Sequence, residues 1–350
     1  MPDSNLRFLV VRLSSVGDIV HALPAVAALG RTYPQASIHW AVEERYAALL
    51  EGNPYVRRVI RFDTLGWRKR LASSDTMGEI LQGFRRLKEL QYDAAIDMQG
   101  LMKTGLLTWI SHSRERIGLG RKWLREPPAG IFYTHRVSPQ GRRHIIEINL
   151  SLVEYLGARP GMWEFPLPAN SEDQAAVQEQ LEKLGVTNYI IVNPGGGWKA
   201  KRWAPENYAE AIRRLAGELP LDILLTGSEQ EEGLIRGILD QAGTPRAKWF
   251  PSTLVQYIAL ARGAKLLIGG DTGPLHLAAA AGTPLVAIFD SSDPLNTPER
   301  NGPFNAADIV LCGPKKSNHL KYSKGSNYLA GVSVESVVEA AFERLKRANG

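Results

Sequence analysis

Short apolar runs alternate with stretches of helical periodicity along the first part of the chain. The runs predict strands at 8–11, 37–42, 59–62 and 92–97. Apolar positions spaced three and four residues apart predict helices at 19–30 and 77–90. Strands that alternate with helices in this way are typical of parallel βαβ units. The first part of the chain is therefore predicted to be a Rossmann-like α/β domain.

The same alternation resumes after an interruption rich in proline and glycine near residues 160–170. Beyond it, strands are predicted at 189–192, 221–225, 265–268 and 285–289, with helices at 172–184, 205–218 and 334–346. A chain of 350 residues is large for one hydrophobic core and sufficient for two. We therefore predict an α/β fold of two Rossmann-like domains that face a central cleft. The predicted domains are 1–165 and 166–332, followed by a C-terminal helix at 333–350 that can pack back on the N-terminal domain.

Composition places the chain among globular proteins of the cytoplasm. Hydrophobic residues make up 44% of it, and no apolar run reaches the roughly 18 residues of a transmembrane helix. The N-terminus passes directly into a strand and lacks a signal-peptide pattern. Cys312 is the single cysteine, which excludes an internal disulfide or a cysteine-based metal cage. No metal site is expected.

Positive charge is concentrated in the first part of the chain. Residues 1–160 hold 23 Lys and Arg against 15 Asp and Glu, a net charge of +8, whereas the remainder holds 19 against 21, a net of −2. The basic clusters lie at 67–70, 85–86, 121–125 and 142–144. They are either a solvated surface or a surface for a polyanion. We favour an acidic, lipid-linked substrate, because no nucleic-acid-binding motif is present.

A polar turn at 14–18 separates the first predicted strand from the first predicted helix. Ser14, Ser15 and Gly17 make this turn tight and open to a ligand. Asp18 at its end either caps the helix or faces a ligand as an ionised carboxylate, which can act as a general base toward a sugar hydroxyl.

A second loop of similar character, at 269–273, joins a buried strand to a helix of small residues. Asp271, Thr272 and Gly273 supply a hydroxyl and backbone N–H groups at a helix start, a position that binds phosphate. His276 follows within the first turn, where it either faces the ligand or packs in the core. A plain capping turn is the alternative for the whole loop.

Two further segments of the second part carry candidate ligand groups. Residues 195–200 match the dinucleotide pattern G-x-G-x-x-A, and Lys201 beyond them can neutralise a pyrophosphate. Glu229 and Glu231 follow a predicted strand, where a carboxylate either binds ribose hydroxyls or favours the start of a helix.

Five motifs in this order resemble those of the lipopolysaccharide heptosyltransferases, ADP-heptose-dependent enzymes with a GT-B fold. They are SSVGDIVHALP at 14–24, DMQGLMK at 97–103, REP at 125–127, KRW at 201–203 and DTGPLH at 271–276. The first and third motifs and the cluster at 67–69 look most like heptosyltransferase I. The glycine-rich run before Lys201 is instead similar to that of other heptosyltransferases.

The resemblance implies a role for each matching residue. Asp18 is the catalytic base. The donor-binding residues are Ser14, Ser15, Gly17, Gly196, Lys201, Glu231, Asp271, Thr272, Gly273 and His276. The acceptor-binding residues are Trp67, Arg68, Lys69, Gln99, Lys103 and Arg125.

The reaction implied by the resemblance is inverting transfer of heptose from ADP-heptose to the Kdo-lipid A inner core, without a cofactor or metal. The enzyme is expected in the cytoplasm, in peripheral contact with the anionic inner face of the inner membrane, and without a nucleic-acid partner. The alternatives are transfer to another acceptor (as a second heptose), another nucleotide-sugar donor, a dinucleotide-dependent oxidoreductase, and a non-catalytic nucleotide-binding protein.

Overall fold

The computed structural model consists of two α/β units. Residues 6–70, 74–196, 202–290, 297–313, 329 and 331–349 are described. Contacts divide the chain into Met1–Pro168 and Ala169–Gly350, slightly beyond the boundary expected from the sequence. Among the described residues, no helix combines the length and the hydropathy that are needed to cross a membrane.

The first unit is built on a six-stranded parallel sheet. Its strands are β1 (Arg7–Val11), β2 (Ser37–Glu43), β3 (Val56–Phe62), β4 (Ala94–Asp97), β5 (Glu115–Leu119) and β6 (His135–Val137). They lie in the order β3-β2-β1-β4-β5-β6. Its helices are α1 (Val16–Thr32), α2 (Thr64–Lys69), α3 (Ser74–Glu89), α4 (Met102–Ile110) and α5 (Ile145–Glu154). Short 3-10 helices lie at 44–49, 121–123 and 127–132.

The centre of this sheet is buried on both faces. Four of the five residues of β1 are buried, which explains why its sequence is a continuous apolar run rather than an alternating one. Leu9 and Val11 pack in one core with Phe62 of β3 and Leu87 of α3. Helix α1 is buried along most of its length and packs against α5. The strand that precedes Asp18 is therefore a rigid support.

The second unit repeats the same plan. Its strands are β7 (Tyr189–Asn193), β8 (Asp222–Leu225), β9 (Ala247–Trp249), β10 (Leu267–Gly270), β11 (Leu285–Phe289) and β12 (Ile309–Cys312). They form a parallel sheet in the order β12-β11-β10-β7-β8-β9. Its helices are α6 (Ser171–Lys183), α7 (Pro205–Glu218), α8 (Glu232–Ala242), α9 (Leu254–Gly263), α10 (Gly273–Ala281), α11 (Pro298–Asn301) and α12 (Val334–Asn349).

The final helix, α12, packs within the second unit. It contacts α7, β11 and β12. Its Arg344 donates to the carboxylate of Asp308 at 2.9 Å, and both side chains are almost fully buried. These contacts anchor the helix to the second sheet, and the possible packing on the N-terminal domain stays a prediction.

Candidate active site

Each sheet reverses its strand order beside its first strand. In the first unit β1 lies between β2 and β4, and in the second unit β7 lies between β8 and β10. Open parallel sheets bind ligands outside the carboxyl ends of the strands at such a switch point. The segments that follow β1, β4, β7 and β10 are therefore the candidate ligand-binding segments of the two units.

Asp18 lies in the first turn of α1, just beyond β1. The N-cap of this helix is Ser15, so Asp18 is the third helical residue and not the cap. Its Oδ2 accepts hydrogen bonds from the backbone N–H and the hydroxyl of Ser15, both at 3.0 Å. Its Oδ1 pairs with the guanidinium of Arg12 and lies 3.9 Å from Nη2 of Arg125. The carboxylate is thus held on several sides, while 17% of the side chain stays exposed.

Arg12 is a buried cation that determines the charge state of Asp18. It follows β1 directly, is 3% exposed, and also donates to the backbone carbonyl of Met98. Burial disfavours ionisation of Asp18, but the charges of Arg12 and Arg125 and the hydrogen bond from Ser15 outweigh it and hold the pKa of Asp18 well below its ordinary value. Asp18 is therefore a carboxylate throughout the neutral range.

Arg12 was not predicted as a site residue, although its position in the sequence carries a signal. Arg12 is a charged residue placed directly after four buried strand residues and before a polar turn. A cation at that point must be buried with a partner, because an unpaired buried charge is too costly. The nearest acid in the sequence is Asp18, which is the partner observed.

Gln99 connects the loop after β4 to the loop after β1. Its Oε1 accepts from the backbone N–H of Leu13 at 2.8 Å, and its Nε2 donates to Oγ of Ser14 at 3.3 Å. Its own backbone N–H donates to the buried Asp97, whose other oxygen accepts from the hydroxyl of Tyr133 at 2.7 Å. Gln99 is buried, so its observed contacts position the turn that bears Asp18.

Two of the predicted acceptor cations lie at the same carboxyl edge of the first sheet. The exposed Arg125 lies beside Asp18. Lys103, near the start of α4, donates to Oγ1 of Thr64 at 3.3 Å and lies 3.7 Å from Oε1 of Glu43. These contacts link α4 to the end of β2 and the start of α2.

The cluster predicted at 67–69 occupies the end of α2. Trp67 packs edge-on against the ring of Phe62 and donates from Nε1 to Glu79 at 3.0 Å. Lys69 is exposed. The side chain of Arg68 lies outside the part of the chain that the structure describes. The indole of Trp67 thus has a packing role that the sequence did not indicate.

In the second unit, Glu231 binds the loop that follows β7. Its Oε1 accepts from the backbone N–H of Gly196 at 2.9 Å and lies 3.4 Å from Nη2 of Arg202. Its Oε2 accepts from the backbone N–H and the hydroxyl of Ser228, both at 2.9 Å. Burial opposes ionisation, but these donors outweigh it and lower the pKa of Glu231. The ionised carboxylate thus joins the loops after β7 and β8.

Close packing explains why this loop is made of glycines. A Cβ on Gly195 would lie 2.4 Å from Oε1 of Glu231, and a Cβ on Gly196 would lie 3.1 Å from Cγ2 of Thr272. The glycines therefore allow the loop to approach both neighbouring segments. The pattern G-x-G-x-x-A also covers residues 197–200, which lie outside the described residues.

Residues 271–276 lead from β10 into α10. Thr272 is the N-cap, the helix begins at Gly273, and Oγ1 of Thr272 lies 3.5 Å from Oδ1 of Asn193. Nε2 of His276 lies 3.1 Å from Oδ1 of Asp271, and both side chains are largely buried. The backbone N–H groups at the start of α10 thus lie at the switch point, where they are suited to an anion.

The predicted site residues fall into two groups, one in each unit. Ser14, Ser15 and Gly17, which were predicted to bind the donor, lie with Asp18 in the first unit. The remaining described donor residues lie together in the second unit: Gly196, Glu231, Asp271, Thr272, Gly273 and His276. Lys201 lies outside the described residues, and its predicted role stays a prediction.

The chain is similar to known glycosyltransferases in sequence and in fold. The sequence model of glycosyltransferase family 9 (heptosyltransferase) matches residues 80–329. The chain is 32% identical over 295 residues to lipopolysaccharide heptosyltransferase 1 of Pseudomonas aeruginosa, covering 83% of this chain and 80% of the relative. It is 26% identical over 343 residues to the lipopolysaccharide core heptosyltransferase OpsX of Haemophilus influenzae, covering 94% of each chain.

A solved structure shows the same architecture. The Escherichia coli heptosyltransferase WaaC with ADP-2-deoxy-2-fluoro heptose superposes with a TM-score of 0.77 and 26% identity, covering 97% of this chain and 99% of that one. The two parallel-sheet units of the chain are thus those of a GT-B fold.

Proposed function

We propose an activity for this chain, which belongs to glycosyltransferase family 9, the heptosyltransferases. It is an inverting transferase that moves heptose from ADP-heptose to the Kdo-lipid A inner core of lipopolysaccharide. Family membership supports an enzyme of lipopolysaccharide core biosynthesis with a nucleotide-heptose donor. The observation that carries the catalytic proposal is the carboxylate of Asp18, held ionised by Arg12 at the switch point of the first sheet.

The proposed reaction is a single displacement. The acceptor hydroxyl oxygen attacks the anomeric carbon of heptose, the bond from that carbon to the ADP oxygen breaks, and the configuration inverts. Asp18 takes the hydroxyl proton. The low pKa of Asp18 makes it a weak base, so the proton moves late, when the forming bond has made the oxygen acidic. Arg12 keeps the carboxylate ionised until it takes the proton and holds the group in position during the transfer.

The diphosphate and the nucleoside of the donor are assigned to the second unit, while the donor contacts predicted for Ser14, Ser15 and Gly17 in the first unit stay a prediction. The N–H groups at the start of α10 and the hydroxyl of Thr272 bind the diphosphate, together with Lys201. Glu231 binds the ribose and at the same time fixes the loop at Gly196. These groups stabilise the negative charge that develops on the leaving ADP. This division is supported by the helix N-terminus of α10 at the switch point, and the structural match to WaaC with ADP-2-deoxy-2-fluoro heptose supports a donor of this kind.

The acceptor is assigned to the first unit, where the positive charge is concentrated. Arg125 lies beside Asp18, and Lys103 and the 67–69 cluster lie on the linked helices α4 and α2. Kdo-lipid A carries carboxylates and phosphates, which these cations neutralise. We place the enzyme in the cytoplasm, in peripheral contact with the anionic inner face of the inner membrane.

The decisive experiment is incubation of the protein with ADP-heptose and purified Kdo-lipid A, followed by mass spectrometry of the lipid. We expect the mass of one added heptosyl residue and release of ADP. Reaction only with an acceptor that already carries heptose would assign the enzyme to the second transfer. Retention of NAD(H) without transfer would instead favour a dinucleotide-dependent oxidoreductase.

The pH dependence of the reaction tests the pairing of Arg12 with Asp18. A carboxyl group with a lowered pKa stays charged until the pH falls through that low value, below the ordinary value of 3.8. We therefore expect no acidic limb from Asp18 in kcat/KM between about pH 5 and pH 9. In Arg12→Met, burial of Asp18 persists while its main stabilising charge is gone, so its pKa rises and an acidic limb enters this range.

The conservative variant Arg12→Lys serves as the control, because it retains a cation and should leave the profile flat at low pH. A pH profile of Arg12→Met that parallels that of the wild type would contradict the proposed control of Asp18 by Arg12.

Charge reversal tests the acceptor assignment. We expect the triple variant Arg68→Glu, Lys69→Glu, Arg125→Glu to raise the KM for Kdo-lipid A by roughly tenfold or more, since each cation near an anionic lipid surface contributes about 1 kcal/mol. The Kd for ADP should hardly change. High salt should reduce the difference between wild type and variant, because exposed charges are screened over roughly 10 Å at 0.1 M.

A matched control for this variant is Arg57→Glu, Arg58→Glu. Both arginines are exposed near the amino end of β3, opposite the edge that carries Asp18. A rise in KM in both variants in proportion to the number of reversed charges would indicate a general effect of net charge. An unchanged KM in the triple variant would leave the cluster as ordinary solvated surface.

A further inference from the structure

Helix α4 exposes a stripe of large apolar side chains. Met102, Leu106 and Trp109 recur at helical spacing on one face, and each is exposed, Trp109 by 54%. Exposed apolar side chains that are contiguous on one surface mark an interaction site more often than isolated ones. The stripe is not part of the folding core of the unit.

A neighbouring element extends this surface. The flank of α4 beside this stripe packs on the 3-10 helix at 127–132, where a Cβ on Gly105 would lie 2.7 Å from Cδ2 of Phe132 and 3.2 Å from the carbonyl oxygen of Ala129. Ile131, in the same 3-10 helix, is 71% exposed. We call Leu106, Trp109, Ile131 and Met102 the α4 patch.

The rim of the α4 patch is mainly basic, although the exposed Glu126 lies at Met102. Lys103 lies on α4 itself, Arg114 follows the helix, and Arg121 and Lys122 lie on the 3-10 helix that packs against 127–132. All four are exposed, and α4 contains no acidic residue. An apolar stripe with a tryptophan and a basic rim is the composition of a surface that lies in the headgroup region of an anionic bilayer.

We propose that the α4 patch is the surface by which this protein docks on an anionic lipid bilayer, with Leu106, Trp109 and Ile131 entering the headgroup region. A second copy of the chain fits less well, because an isologous contact would bring two identical basic rims together. The bilayer instead neutralises the rim. The identification of a lipid-linked acceptor rests on the proposed function, whereas docking itself does not.

The location of the α4 patch suits a lipid-linked acceptor. The backbone N–H of Met102 donates to the carboxylate of Glu126 at 2.6 Å, and the preceding residue, Arg125, reaches Asp18 at 3.9 Å. Met102, at one edge of the patch, is thus connected to the proposed base through the adjacent residues Glu126 and Arg125. Docking by α4 would hold the sugar headgroups of the bilayer near the carboxyl edge of the first sheet.

The test is cosedimentation of the full-length protein with vesicles of phosphatidylglycerol and phosphatidylethanolamine. We expect Leu106→Ser, Trp109→Ser to reduce the partition coefficient by about tenfold or more, because the apolar area that enters the bilayer is lost. Ile131→Ser should act in the same direction and provides a second variant at a more exposed position. Vesicles of phosphatidylcholine alone should bind the wild type more weakly.

The matched control is Met162→Ser, which removes a 93% exposed apolar side chain elsewhere in the first unit. It should bind like the wild type. If both patch variants bind vesicles like the wild type, the proposal is overturned. A change in their oligomeric state on size exclusion without a change in vesicle binding also overturns it. Transfer to a deacylated, water-soluble acceptor should be unaffected in the patch variants. Absence of such transfer in the wild type would defeat the proposed function and leave the vesicle result standing.

Discussion

Asp18→Asn should lower kcat by about 10²–10⁴-fold, the range for loss of a positioned general base. The amide has nearly the same shape but cannot take the proton of the acceptor hydroxyl. The structure adds a second expectation, because the substitution leaves the buried Arg12 without its counter-charge. We expect the free energy of unfolding to fall by about 3 kcal/mol. This is the lower end of the range for a broken buried ion pair, because Asp18 remains partly exposed. Turnover and urea unfolding measure the two effects.

The double variant Arg12→Met, Asp18→Asn separates the two roles of this carboxylate. Removal of both charges relieves the unpaired arginine, so most of the lost stability should return. Activity should not return, because no base is present. Recovery of turnover in the double variant, or near-wild-type turnover in Asp18→Asn, would show that the carboxylate is needed for the fold alone.

Glu231→Gln should raise the Kd for ADP by roughly 10–100-fold, which corresponds to one hydrogen bond to a charged group. The glutamine also weakens the contacts that fix the loop at Gly196 and Ser228. Isothermal titration with ADP measures the change. If the variant binds ADP with the same affinity as the wild type, Glu231 does not belong to the donor site.

Gly195→Ala tests the same loop through its packing. The added Cβ would lie 2.4 Å from Oε1 of Glu231, whose oxygens are tethered by backbone N–H groups, so either the loop or the carboxylate must shift. We expect a loss of ADP affinity comparable to that of Glu231→Gln. Gly233→Ala on α8 is the matched control, because nothing lies within 4 Å of its added Cβ. It should bind ADP normally and raise helix stability slightly.

The hydrophobic pattern was sufficient to predict most of the architecture. Continuous apolar runs of four or five residues identified β1, β7 and β11, since strands buried on both faces leave no polar positions. Proline and glycine residues predicted a linker near residues 160–170, and the contacts divide the chain after Pro168. The pattern did not predict the strands β5, β6, β9 and β12, which are short or interrupted by polar residues, or the helices α2, α4, α5 and α9. The predicted helix at 19–30 was too short, because α1 begins at Val16, where Ser15 and Asp18 form the first turn.

The sequence by itself determined which residue types stand at the carboxyl ends of the central strands. Asp18, Gly196, Glu231 and the segment 271–273 were all identified there, because glycine and short polar residues after a buried strand are a local signal. The local sequence also predicted that a helix of small residues, which is α10, begins at this position. A candidate anion-binding helix start and a candidate carboxylate could therefore be predicted from the sequence, and their roles stay predictions.

Only the tertiary structure decided the state of these groups. The partners of Asp18 include Arg125, more than a hundred positions away in the chain, and the loop of Glu231 meets that of Gly196 only because β7 and β8 are adjacent. A pKa depends on burial and on charges within a few ångströms, which no local pattern encodes. The apolar face of α4 became visible in the same way, because exposure is a property of packing and not of composition.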